Sequence, residues 1–148
     1  VQLRRIVTLV LLAFVAACGG GGGGNVPAGP VGAAAPSASV ERFLRLVQAK
    51  NYREMGLVFG TREGSIYRVD PVPTVEKRMF AIASILDHQG FTLMSEEPIP
   101  GRIGEAVRMT VQLASGNRRR QVPFVVVRHG SGWLVEQVDL ERITRPSR

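Results

Sequence analysis

Six consecutive glycines, Gly19 to Gly24, divide this sequence into two parts that cannot share a core. Glycine has no side chain to bury and loses more conformational freedom on folding than any other residue, so such a run resists both helix and sheet. Asn25 to Pro36 continues in Pro, Gly and Ala, with Val26 and Val31 its only large apolar side chains. Residues 18–37 are therefore expected to be a tether. Folding is left to residues 38–148, about 111 residues, a length suited to one domain. Cys18 is the sole cysteine, so no intrachain disulfide can staple that domain and hydrophobic burial must hold it.

Ahead of the glycines, residues 1–17 run in the order of a secretory signal: Arg4-Arg5, then the apolar Ile6 to Phe14, then the small residues Ala16 and Ala17. As a helix, Ile6 to Ala17 would span only about 18 Å, against a hydrocarbon core of about 30 Å. A cleavable leader is expected, not a membrane span. Val15-Ala16-Ala17-Cys18 resembles the bacterial lipobox. The resemblance implies that Val15, Ala16 and Ala17 are read by a signal peptidase, and that the Cys18 thiol takes diacylglycerol and becomes the mature N-terminus. Sulfur is the nucleophile for that acylation. Two or three acyl chains would hold the protein to a membrane far more firmly than one. Gly19 is not the aspartate that resembles an inner-membrane retention signal, so the expected location in a two-membrane cell is the outer membrane, facing the periplasm.

The chain carries 19 basic and 12 acidic residues, a net charge of +7. Removing Arg4 and Arg5 with the leader leaves 17 against 12, or +5. All the basic residues but Lys50 and Lys77 are arginine. Arg118-Arg119-Arg120 is a candidate anion-binding cluster at a hairpin tip, with alternation sending Arg119 to the opposite face from its neighbours. No aromatic side chain interleaves with it and export would separate it from nucleic acid, which is not an expected partner.

Within the domain, Val40, Phe43, Leu44 and Val47 recur at helical spacing, with Ser37 or Ser39 placed to cap the helix and Asn51 to end it. Tyr52 to Phe59 reads as a shorter helix with Met55 and Phe59 inward. Residues 60–73 read as a loop with one strand-like run, Ile66 to Val69. Thr74 is expected to cap a third helix reaching Gln89, with Val75, Met79, Ile82 and Leu86 inward, His88 in its last turn and Gly90 left-handed beyond it. From there the period changes to two: Phe91 to Glu97, Val107 to Leu113, Val122 to Arg128 and Trp133 to Leu140 read as strands. Their short turns make neighbours antiparallel. Helices followed by a meander predict an α+β fold.

A helix pair, a third helix and closing strands ending in Gly132-Trp133-Leu134-Val135 resemble the nuclear transport factor two-like superfamily over roughly residues 38–143. The resemblance implies three N-terminal helices packed on a curved antiparallel sheet of about four strands, around a cone that some members use for small ligands or for isomerase, cyclase and dehydratase chemistry. This chain differs from the fuller pattern in having a single weak strand between its second and third helices.

No catalytic residue is assigned. Tyr52, Tyr67, Asp87 and Glu136 are the positions from which a catalytic cone would draw proton transfer. His88 and His129 are far apart in sequence, so neither a metal site nor a nucleophilic triad is expected, and no cofactor motif is present. Residues 60–64, Gly-Thr-Arg-Glu-Gly, lack the Lys-Ser/Thr of a phosphate loop. The expected role is a membrane-anchored envelope lipoprotein whose domain binds a partner protein or a small apolar ligand through the cone or the exposed sheet face. The alternative is a small cofactor-free enzyme of isomerase or dehydratase type.

Overall fold

The computed structural model describes residues 24–144. The expected leader, Cys18 and the first five glycines lie outside the described residues. Helix α1 (Pro36–Gln48) starts earlier than either serine, at Pro36, whose fixed φ and missing N–H suit the first helical position. Val40, Phe43, Leu44 and Val47 are buried, as their spacing predicts. Ser39 caps nothing; it is buried, and its hydroxyl donates to the Trp133 carbonyl at 3.0 Å.

The end of α1 is a reversal in which Asn51 N–H reaches the Leu46 carbonyl at 3.0 Å and Lys50 N–H the Val47 carbonyl at 3.1 Å. Lys50 takes the left-handed conformation this requires, with φ 54°. Asn51 then accepts the Glu54 N–H on its Oδ1 at 3.2 Å and so caps α2 (Tyr52–Val58). One residue closes a helix and opens the next.

Two expectations for the following segment are corrected. Ile66–Arg68 is a 3-10 turn, and the pairing occurs before it, between β1 (Gly60–Thr61) and β2 (Gly64–Ser65). Ile66 is drawn into the core and its N–H bonds the Phe59 carbonyl at 2.8 Å, which folds the run back on α2 instead of extending it. Helix α3 (Val72–Ile85) begins ahead of Thr74, with Pro71 at its cap and Pro73 in its first turn, and stops short of Gln89. Gly90 is not left-handed; it is the first residue of β3.

The sheet is an antiparallel meander, β3 (Gly90–Pro98), β4 (Ala106–Ser115), β5 (Arg118–His129) and β6 (Gly132–Val138), in that spatial order. The fold is α+β. The expected run of three helices followed by strands is corrected in two ways: the β1–β2 hairpin separates α2 from α3, and a short α4 (Glu141–Thr144) follows the sheet. Two bulges curve the sheet. Register shifts between Leu93 and Ser95, leaving Met94 extra in β3, and between the pairs Val125–Gln137 and Val126–Val135, leaving Glu136 extra in β6. After the second bulge Val138 returns to the inner face opposite Phe124 and packs on the core, where strict alternation would have turned it outward. That core joins Phe43 and Leu44 of α1, Met55 of α2, Val75 and Met79 of α3, and Met109, Val111, Leu113, Val122, Phe124 and Val126 of the sheet.

The tether boundary is also corrected. Ala33 forms an antiparallel bridge with Trp133, its N–H donating at 3.0 Å and its carbonyl accepting at 2.8 Å, while Gly32 N–H bonds the Leu57 carbonyl at 2.9 Å. Arg42 donates to the Pro30 and Gly32 carbonyls, and Arg53 to the Asn25 carbonyl. Residues 25–35 are therefore a strap on the domain. A chain poor in side chains still has carbonyls, and those are what the two arginines hold.

The packing of α2 on α3 depends on Gly56, where an added Cβ would sit 2.6 Å from the Tyr67 ring and 2.7 Å from Val75 Cγ1. In an open helix Gly→Ala would stabilise by about 1 kcal/mol; here overpacking should outweigh that. Gly56→Ala is expected to destabilise the protein by about 1–3 kcal/mol, measured as a lower midpoint of chemical denaturation with unchanged slope.

Candidate binding recess

Because β6 is a sheet edge, its outer side is open to whatever the preceding chain lays beside it. Phe59, at the end of α2, bridges Val135 in parallel, and this brings the β1–β2 hairpin alongside β6. Between hairpin, 3-10 turn and β6 lies a recess of about 380 Å³. Phe59, Ile66 and Val69 give it apolar walls, and Arg68, Arg78 and Glu136 stand among its polar lining.

Each polar group is held by a partner. Arg102, in the β3–β4 connection, grips Glu136 through both guanidinium ends at 2.8 and 3.1 Å. The pair is about two-thirds shielded from water, with side-chain exposures of 35% and 24%. Hydrogen bonding to Glu136 holds the Arg102 pKa above its ordinary value, against a smaller opposing effect of desolvation. The β6 bulge gives Glu136 this position, since the extra residue leaves the alternation. Arg78 pairs with Asp70 at 3.2 Å, and Arg68 donates to the Glu63 carbonyl at 2.8 Å. The Thr61 hydroxyl bonds the Glu63 carboxylate and, with the Glu63 backbone N–H and the nearby Arg62 and Arg68, holds that carboxyl below its usual range despite some desolvation.

Of the four positions named for proton transfer, Tyr52, Tyr67, Asp87 and Glu136, the last lines this recess. Both its oxygens accept hydrogen bonds from Arg102, which fixes the position of the carboxylate. Tyr52 sets its ring edge-on to Phe80, 5.5 Å between centroids, and Tyr67 donates its hydroxyl to the Arg53 carbonyl at 2.7 Å. Asp87 is exposed beyond α3. The centre of the domain is packed with apolar side chains.

The arginine triplet divides. Arg120 donates to the Ile85 and Asp87 carbonyls at 3.3 and 2.8 Å, placing a cation at the end of α3. Arg119 bonds the Gly116 and Arg118 carbonyls within its own turn. His88, expected in the last turn of α3, lies past the helix, buried, with Nδ1 2.7 Å from the Leu86 carbonyl and Nε2 without a hydrogen-bond partner. His129 sets Nδ1 2.8 Å from the Arg62 carbonyl and so pins the β1–β2 turn to β5. Val15, Ala16, Ala17 and Cys18 lie outside the described residues. Sequence reasoning missed Arg102 and Arg78, since nothing in the chain marks a loop arginine as the partner of a carboxylate 34 residues on.

No protein-family model and no curated protein sequence matches this chain. Among solved structures it is similar to a designed nuclear transport factor two-like protein entitled Rd1NTF2_05 with five substitutions, at 19% identity and a TM-score of 0.42, over 67% of this chain and 90% of that one.

Tyr67 supplies a pH test of the helix packing. Burial, with Glu76 nearby, raises its pKa above the ordinary phenol value, while Arg53 opposes this. The neutral phenol is the form the fold favours, so its contribution is complete below the unfolded-state pKa and is lost as pH rises through the raised native one. The difference in 295 nm absorbance between wild type and Tyr67→Phe should titrate at higher pH in the native than in the urea-unfolded protein, and the variant should lose about 1 kcal/mol at neutral pH with its hydrogen bond.

Proposed function

We propose that this chain is a lipid-anchored envelope protein with a nuclear transport factor two-like domain that binds a small, mainly apolar ligand or a partner's apolar side chain in the hairpin recess. Anchoring rests on the order of Arg4-Arg5, the apolar run and Val15-Ala16-Ala17 before a lone Cys18. In a two-membrane cell the site would be the periplasmic side of the outer membrane. The superfamily assignment rests on the order helix pair, third helix, curved four-stranded meander.

One observation carries the binding reading: an apolar-walled cavity of about 380 Å³, ringed by charges already satisfied within the protein. A few placed polar groups around apolar walls is the usual form of a small-molecule site. Paired charges at the rim orient a ligand without needing it, and they do not supply a free acid or base. A noncatalytic binder is therefore the better supported reading.

The test is saturable binding of 1-anilinonaphthalene-8-sulfonate to the full chain purified from membranes. One equivalent should bind at micromolar dissociation constant, on the order of −8 kcal/mol, and Val69→Asp should weaken it about tenfold. Val69 is 80% exposed, so the fold should tolerate the change. Weak, nonsaturating fluorescence equal in both proteins would refute the recess. Intact mass should show diacylglycerol on Cys18, and Cys18→Ser should leave the membrane fraction; firm retention of that variant would refute the anchor.

A further inference from the structure

The strap decides how far from a membrane the domain can sit. Arg53 holds the Asn25 carbonyl at 2.6 Å, and Gly24 lies against Val72 and Arg53, where α2 and α3 begin. Between Asn25 and Cys18 there are only the six glycines, whose contour is at most about 25 Å. A domain of about 120 residues is about 35 Å across. On the anchoring read above, the surface next to the bilayer must therefore belong to the half of the domain around the starts of α2 and α3.

That half carries an unusual combination. Phe80, on the outer side of α3, is 55% exposed and stands edge-on to Tyr52. It lies two helical turns along α3 from Val72, about 12 Å from where the strap leaves. Lys77 is one turn away on the same exposed side, and Lys50 is in the turn before Tyr52; both are exposed. They are the chain's two lysines, and neither makes an ion pair among the described residues. The Arg53 charge is balanced by Glu76 at 2.9 Å. Glu54, two residues on from Tyr52, points about 200° round α2 from it. The patch is thus an aromatic pair flanked by two free ammonium groups. Aromatic rings and lysines settle at the interface of anionic membranes, the ring at headgroup level and the flexible ammonium among the phosphates.

We propose that Lys50, Tyr52, Lys77 and Phe80 form the face by which the domain rests on an anionic lipid surface, with α3 lying along the bilayer. This rests on the lipid anchor at Cys18. Each lysine should raise the equilibrium constant for docking of the domain on the surface about fivefold, in a salt-dependent way.

The test exploits the absence of any other cysteine. Full-length protein, purified with its lipid and confirmed by intact mass, is given one new cysteine, Ala81→Cys beside Phe80 or Gln121→Cys on the exposed sheet face turned away from the helices. Each is labelled with a nitrobenzoxadiazole dye and placed in phosphatidylcholine vesicles containing one quarter phosphatidylglycerol. Brominated lipid should quench the dye at position 81 at least threefold more than at 121. The contrast should vanish in 0.5 M salt or on adding Lys50→Ser and Lys77→Ser. Equal quenching at both positions, or stronger quenching at 121, in protein that carries the lipid overturns the proposed face and leaves the anchor standing. Protein that carries no lipid on Cys18 overturns both.

Discussion

The edge strand β6 is where this fold is held together, and the Trp133 peptide is its junction. Its carbonyl accepts the Ala33 N–H and the Ser39 hydroxyl, both at 3.0 Å, and its N–H donates to the Ala33 carbonyl. Strap, first helix and sheet thus meet at one residue. An unpaired edge is a template for association with other chains, and covering it with the protein's own backbone removes that hazard. The covering segment must approach closely: at Gly32, with φ 69°, any side chain would collide with the Trp133 carbonyl. Farther along the strand Phe59 takes the strap's place, bridging Val135.

From that junction the candidate site follows. The Phe59 bridge draws the β1–β2 hairpin beside β6, and the β6 bulge frees Glu136 from the alternation so that Arg102 can grip it. The recess is therefore made by two irregularities, a short hairpin beside β6 and one extra residue within it. The same bulge also serves the core, since it returns Val138 to the inner face.

Without disulfides in the domain, stability lies in burial and in a modest set of directed bonds. Exposed ion pairs such as Arg45–Glu41 contribute little. Arginines that hold main-chain carbonyls do more for the shape: Arg42 and Arg53 fix the strap, and Arg120 closes α3. The arginine-rich composition, uninformative as a count, becomes legible where Arg42, Arg53, Arg68 and Arg120 are traced to the main-chain carbonyls they bind.

Periodicity alone was enough for the helix at Val40–Val47, for the helix containing Val75 and Met79, for the four strands and for the α+β class, because one-sided burial imposes a spacing of 3.6 or 2 on any chain that forms such elements. The expectation of an anchor at Cys18 has another source, the linear order of an export signal and the resemblance of Val15-Ala16-Ala17-Cys18 to a lipobox. Helix ends were less legible: proline at Pro36 and Pro71 set the starts where serine and threonine were the expected caps, both kinds of residue being suited to that position. What the tertiary structure alone decided were contacts between residues distant in the chain: Ser39 with Trp133, Arg102 with Glu136, Arg120 with the end of α3, and a glycine-rich segment serving as a strap. These depend on where the packed core brings backbone carbonyls and charges within about 3 Å, and no local pattern encodes a distance across a core.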